Sequence, residues 1–257
     1  MSNLRYKRVV IKISGEALAP AEGSGNTSIL DPQSLETACK QLIEAAQCGC
    51  QVAVVVGAGN IWRGKGAGNM NPAEADSMGM LATVINSIAI RSTLERLGQK
   101  AKLFTSVAMP SVGDTFNCVN AVRYLEDGYI VIVGGGTGNP FFTTDTTVIL
   151  RALELGADTA LFAKRVAYLY NRDPEDKNST EKLFKYHKVN FGTVLEKGLK
   201  AIDLAATALC HEKKMDVCLF KLNGDVSFKD LVTGEKEAST FISNSIPDSE
   251  IVTSDGI

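Results

Sequence analysis

Short apolar runs alternate along this chain with longer segments in which apolar positions recur every three or four residues. Arg8 to Ile13, Gln51 to Val56, Lys102 to Thr105, Tyr129 to Val133, Thr159 to Ala163 and Val217 to Leu222 are apolar or β-branched and read as buried strands. The segments between them carry helix end signals. Asp31 caps a helix with Pro32 at its first position that runs to Gln47, with Gly49 beyond it. Pro72 to Leu97 stops at Gly98, Val119 to Asp127 at Gly128, and Thr146 to Leu155 at Gly156. Such strict alternation predicts a doubly wound α/β fold built on a mainly parallel sheet.

Past Ala163 the pattern loses regularity. Asn171 to Ser179 is a polar loop with turn chemistry, Phe191 to Lys197 and Ala201 to Lys213 read as helices, and the pattern-poor stretch 244–257 is expected to be a flexible tail. With 257 residues and 45% hydrophobic content, the chain can bury a large core in one large domain or two intimately joined halves, and a single domain is set at 1–243.

Charge narrows the partners. Lys and Arg number 27 against 29 Asp and Glu, so no basic field favours nucleic acid, and an anionic ligand must be held by locally placed cations. No apolar run approaches the ~18 residues of a membrane span, and the stretch after Arg8 is short for a secretion signal, so a cytoplasmic protein is expected. Cys39, Cys48, Cys50, Cys118, Cys210 and Cys218 show no CxxC spacing, and His187 and His211 lie near no cysteine pair. Reduced thiols and no protein-held metal are the expectation.

Chemistry concentrates where strands run into glycine loops. Lys12 ends the first strand ahead of Ser14-Gly15-Glu16, Gly57 to Gly66 follows the second, and Gly134 to Asp145 follows the strand at Tyr129 to Val133 and precedes a helix. Glycines admit backbone N–H groups to an anion, and a helix N-terminus adds unpaired donors and the positive end of its dipole. Gly59-x4-Gly64-Lys65 mimics a Walker A loop but lacks the hydroxyl residue after the lysine, and no window fits the dinucleotide fingerprint. Taken alone, Lys12 is a phosphate contact or a solvated strand-end lysine; Asp145 organises cations or serves as a helix cap or first-turn acid; Asp203 orients a cation or sits on a solvated face. Three glycine junctions with Lys12 and Arg63 as fixed cations favour a polyphosphate ligand and phosphoryl transfer, which needs positioned cations and N–H donors more than covalent help.

Lys12-Ile13-Ser14-Gly15-Glu16, Gly59 to Gly64, Asp76 with Met78 to Thr83, Thr137 to Asp145, and Leu199 to Leu204 together resemble the bacterial uridylate (UMP) kinase family of the amino-acid kinase superfamily. The resemblance implies a three-layer α/β/α sandwich and transfer of phosphate from ATP to UMP, with Mg²⁺ carried by ATP. It also implies a homohexamer activated by GTP and inhibited by UTP. On this chain Lys12, Arg63, Asp145 and Asp203 would be catalytic. ATP would meet Lys12, Ile13, Ser14, Gly15, Gly59, Arg63, Lys164, Tyr170 and Asp173. UMP would meet Ala58, Asp76, Thr137, Gly138, Asn139, Pro140, Phe141, Phe142, Thr143 and Thr144. GTP would meet the loop holding Gly23 and Gly25. The acceptor side would lie mainly in 1–160 and the ATP side in 161–243.

The chain also departs from the family pattern. Ala58 replaces a glycine and is tolerable only at negative φ; Val166 to Tyr170 replaces an acid and a glycine by Ala167 and Tyr168; Ser24 replaces an aromatic residue in the GTP loop. These departures motivate a second reading, a regulator that binds UMP or UTP with weakened kinase activity. A third, a kinase acting on a carboxylate or carbamate, is disfavoured by the Asp76 and Thr137 to Asp145 segments. Phe141 and Phe142 are expected to combine core packing with a pocket wall.

Overall fold

The computed structural model describes residues 4–21, 23, 25–63, 68–164, 168–174, 176, 182–222, 224–248 and 251–255. Its elements run β1 (Arg8–Ile13), α1 (Pro32–Gln47), β2 (Gln51–Val56), α2 (Pro72–Arg96), β3 (Ala101–Thr105), β4 (Asp114–Thr115), α3 (Cys118–Glu126), β5 (Ile130–Gly134) and α4 (Thr144–Leu155). They continue with β6 (Thr159–Lys164), β7 (Leu169–Tyr170), β8 (Phe184–Val189), α5 (Phe191–Glu196), α6 (Leu204–Lys213), β9 (Val217–Lys221), α7 (Phe228–Thr233), β10 (Thr240–Ile242) and β11 (Val252–Asp255).

All described strands join one sheet in the order β11-β8-β10-β9-β6-β1-β2-β5-β3-β4, with β7 paired to β8. From β9 across to β4 the pairs are parallel, whereas β10 runs antiparallel to β9. Side-chain alternation sorts the strands' residues between two cores. Val10, Ala53, Val55, Val131, Val133, Ala160 and Phe162 pack under α3, α4, α5 and α6. Val9, Ile11, Ile13, Val52, Val54, Ile132 and Leu161 face α1, α2 and α7. A helix layer on each face of the sheet is the expected three-layer sandwich.

This parity also sends two lysines to one place. Lys12 shares the face of Val10, and Lys164 that of Ala160 and Phe162, so both point toward the α4 and α6 layer. Strands β1 and β6 are hydrogen-bonded neighbours with Lys12 opposite Phe162, which puts both lysines at the carboxyl edge of adjacent parallel strands. Chain direction reverses there, since β1 leads outward to β2 and α4 returns the chain to β6. Open α/β sheets bind ligands at such a crevice.

Several expectations need correction. The stretch 244–257, expected as a flexible tail, supplies β11, which pairs antiparallel with β8. A bare β8 edge would expose a row of unpaired backbone groups, and β11 covers it. Ahead of β11, Ile246 is buried and the Asn244 amide donates to the His211 carbonyl at 2.7 Å. The segment around the polar loop contains β7 and β8; residues 175 and 177–181 lie outside those described. Helix α6 starts at Leu204 rather than Ala201 because Asp203 caps it, and α4 starts at Thr144 because Thr143 caps it. Strand β10 and helix α7, opened by a Ser227–Asp230 capping box, were not anticipated.

Candidate active site

Gly57, the first residue after β2, donates its N–H to the Ile13 carbonyl at 2.9 Å, so the loops after β1 and β2 touch. The contact requires glycine at 15, where a Cβ would lie 2.6 Å from the Gly57 carbonyl oxygen and 2.3 Å from Asn60 Oδ1. Below this contact lies Asn86, fully buried on α2. Its amide nitrogen donates to the Gly57 carbonyl at 2.7 Å and to Asn60 Oδ1 at 2.8 Å. Sequence reasoning passed over Asn86 because its partners lie far away in the chain. Ala58 is absent from the left-handed region, which among described non-glycine residues holds Phe141 and Lys214, so its methyl meets the stated condition.

Lys12 Nζ lies 3.2 Å from Asp145 Oδ1, with both side chains largely shielded from solvent. Asp145 occupies the first turn of α4, where the helix dipole favours a carboxylate, and Thr143 is the cap. Lys164 completes the group, donating to the Ala201 carbonyl. Burial and the neighbouring Lys12 pull its ammonium below the ordinary lysine range, against the opposing pull of Asp145 and Asp203.

Asp203, whose charge favours the Lys164 ammonium, also has a structural task. It lies just outside α6 and fastens two helix starts together. One oxygen accepts from Ala206 N at 2.8 Å, capping α6; the other accepts from Thr146 N at 3.0 Å and from Thr143 Oγ1 at 2.5 Å. Burial pushes its carboxyl up, but the hydrogen bonds from Thr143, Ala206 and Thr146 outweigh that and hold it below the ordinary aspartate range.

A cavity of about 400 Å³ is lined by Asp145, Lys164, Lys200, Ala201 and Asp203 among others, and two more lie in the loops beyond β1 and β2. The larger, about 700 Å³, is lined by Ser14, Glu16, Gly59, Asn60, Arg63, Lys164 and Lys221 among others. Arg63 reaches into it, with its guanidinium paired to Glu16 and its Nε donating to the Gly59 carbonyl at 3.1 Å. The smaller, about 310 Å³, is lined by Ala58, Gly59, Trp62, Asp76, Met80, Thr83, Gly136, Phe142, Thr143 and Thr144. Gly59 belongs to both.

Of the residues expected on the donor side, the structure brings Ser14, Gly59, Arg63 and Lys164 together, with Lys12 beside them. Ile13 is fully buried, so its side chain is core and its backbone alone faces the loops. Tyr170 and Asp173 lie on and after β7 and are not among the residues lining it. On the acceptor side Ala58, Asp76, Phe142, Thr143 and Thr144 line the cavity, whereas Thr137 closes a local turn with Asn139. Gly138, Asn139, Pro140 and Phe141 are not on its wall. Nor are Phe141 and Phe142 core residues, being 73% and 51% exposed. Phe141 adopts φ 71°, a costly conformation, and its N–H donates to Asp76 Oδ2 at 2.7 Å. Trp62, Met80, Thr83 and Gly136 were missed. Gly23 and Gly25 are described but Glu22 and Ser24 between and beside them are not, and Gly64, Lys65, Val166 and Ala167 also fall outside the described residues.

A family model described as the amino acid kinase family matches residues 7–221. The chain belongs to the amino acid kinase family. Solved structures agree. UMP kinase from Bacillus anthracis is 31% identical, with a TM-score of 0.86 over 98% of this chain and 99% of that one. UMP kinase from Ureaplasma parvum is 29% identical, with a TM-score of 0.84 over 93% and 99%. The uridylate kinase from Archaeoglobus fulgidus, at 22% identity and a TM-score of 0.65, shares the fold. Among the described residues no helix is long and apolar enough to cross a membrane, and no cluster of three metal-binding side chains occurs.

Proposed function

We propose that the chain is a UMP kinase that transfers the γ-phosphoryl group of Mg-ATP to UMP, giving UDP and ADP for pyrimidine nucleotide synthesis. The observation that carries this reading is the meeting of two cavities at Gly59, beside the Lys12–Asp145 pair. ATP phosphates enter along Ser14, Gly59 and Arg63, and UMP lies along Asp76 and Thr143 to Thr144. Lys12 and Lys164 stabilise charge on the transferring group between them. The attacking oxygen belongs to a phosphate whose second pKa is about 6, already ionised at neutral pH, so no strong general base is required. Both Asp203 oxygens are engaged by Thr143, Thr146 and Ala206, which leaves Asp145 as the carboxylate facing any Mg²⁺ brought by ATP. Bound there, Mg²⁺ would neutralise phosphate charge.

The test is ADP formation by the purified protein with Mg-ATP and, separately, UMP, CMP, AMP, GMP, dUMP, glutamate and carbamate. UMP-selective turnover supports the proposal. No turnover with any acceptor, together with tight UMP or UTP binding, would put a nucleotide-binding regulator in its place.

Two substitutions separate the sides. Asp76→Ala is expected to raise the KM for UMP by about 10- to 100-fold, the worth of hydrogen bonds to a charged group, with the KM for ATP unchanged. An unaltered UMP KM would remove Asp76 from the acceptor site. Arg63→Ala is expected to lower kcat on the order of 10-fold. Its melting temperature should hardly move, because an exposed pair such as Arg63–Glu16 contributes at most about 1 kcal/mol.

The finer proposal covers a cytoplasmic homohexamer inhibited by UTP and activated by GTP through the loop at Gly23 and Gly25. Met78, Leu81 and Ile85 leave an apolar strip exposed on α2, which supports assembly, and light scattering would give the mass.

A further inference from the structure

Among the described residues no other charged residue is as deeply buried as Arg151, 5% exposed on α4. Its guanidinium lies against the Phe116 ring, 4.1 Å from the centroid, and pairs with Glu154. Nη2 donates to Ser106 Oγ at 3.1 Å, while Nε is buried with no hydrogen-bond partner. A cation held away from water with one donor unmet is costly, and general core packing would be served better by an apolar side chain.

Ser106 connects that cation to the acceptor cavity. It follows β3, and its Oγ donates to the Gly136 carbonyl at 2.6 Å while its N–H donates to the Gly134 carbonyl at 2.9 Å. The glycine loop rests directly on it. A Cβ on Gly135 would come 3.1 Å from Ser106 N and one on Gly138 3.1 Å from the Ser106 carbonyl oxygen, and both glycines have positive φ. From the opposite side Thr83 Oγ1 accepts from Gly135 N at 2.8 Å. The loop is therefore gripped between α2 and Ser106, and Gly136 is the part of it that lines the acceptor cavity.

We propose that Arg151 is a positioning residue that acts through Ser106 to fix the Gly136 peptide and with it the glycine wall of the acceptor cavity. A serine hydroxyl turns freely and can both donate and accept. The guanidinium N–H takes an Oγ lone pair, which directs the hydroxyl proton to the Gly136 carbonyl, and its charge strengthens that bond. The inference deepens the proposed function and rests on it in one respect, that the cavity takes the acceptor nucleotide.

The test compares Ser106→Ala, Arg151→Met, Arg151→Lys and the double variant Ser106→Ala/Arg151→Met. UMP and ATP are varied separately in steady-state kinetics, and amide hydrogen exchange is followed without nucleotide. Ser106→Ala and Arg151→Met should each raise the KM for UMP about fivefold, the worth of one hydrogen bond, with the KM for ATP within about twofold of wild type. The double variant should be no worse than the worse single one, and Arg151→Lys should fall between wild type and Arg151→Met. Exchange should accelerate from Gly135 to Asn139 while β3 and α4 stay protected. Additive effects in the double variant, equal rises in both KM values, or unchanged exchange in the loop would overturn the proposal. Should Arg151→Met fail to fold, Ser106→Ala alone decides by the same readouts. Should the wild-type protein not phosphorylate UMP, the functional reading fails by itself, and loop exchange still decides whether Arg151 acts through Ser106.

Discussion

Lys12→Met is expected to fold and to lose kcat by about 100- to 1,000-fold, the scale observed when a preorganised charge-stabilising donor is removed. Two effects act together. The ammonium that faces the transferring group disappears, and Asp145 is left beside the donor phosphates without its counter-charge, turning an organiser into a source of repulsion. Losing the partner of a shielded carboxylate costs about 2 kcal/mol, or roughly 4–8 °C in melting temperature for a chain of this size. Assays well below the transition separate the two losses. Near wild-type kcat in folded Lys12→Met protein would remove the lysine from the chemistry.

The largest stability effect is expected at Asp203. Asp203→Ala removes the cap of α6 and the hydrogen bonds that hold the start of α4, together about 3 kcal/mol, lowering the melting temperature by roughly 6–12 °C. Activity should fall as well, since Thr143 and Asp145 begin the helix that Asp203 secures. The sign with pH follows from its carboxyl being held below the ordinary aspartate range in the folded chain. A depressed acid stabilises the fold above its unfolded pKa and stops doing so as the pH drops through the folded value. Wild-type and Asp203→Ala melting temperatures should therefore differ most near neutrality and converge in acid, as the pH falls through the lowered folded pKa. A difference that persists unchanged into acid would show that the carboxylate's charge is not what holds the two helices.

Much of this was legible in the sequence for a definite reason. The strands β1, β2, β5 and β6 are apolar on both faces, as parallel strands between helix layers must be, and α1, α3 and α4 carry caps or closing glycines. Legibility failed where burial is one-sided or the element is short. β8 reads Phe-Lys-Tyr-His-Lys-Val, its charged residues continuing the polarity of the preceding loop, and α7 has too few residues to show a helical period. In the site, Lys12 was visible because it ends a strand beside a glycine turn. Asn86, Ser106 and Arg151 gave no signal, since each is a polar residue in a helix or loop whose meaning comes from partners 26 to 45 positions away. Asp203 stood out by its motif, but a run of residues cannot show that its carboxylate reaches a second helix.

The shared facing of Lys12 and Lys164 makes catalysis a reporter of folding fidelity. Sliding β1 by a single position against its neighbours would turn Lys12 into the α1 and α2 layer and bring Ile11 or Ile13 to the place of the ammonium. A molecule misaligned in this way could keep most of its helix and strand content and pass an optical measurement of secondary structure, yet have no charge at the reaction centre. In a refolded preparation, the ratio of active sites to total protein would thus count correctly registered sheets.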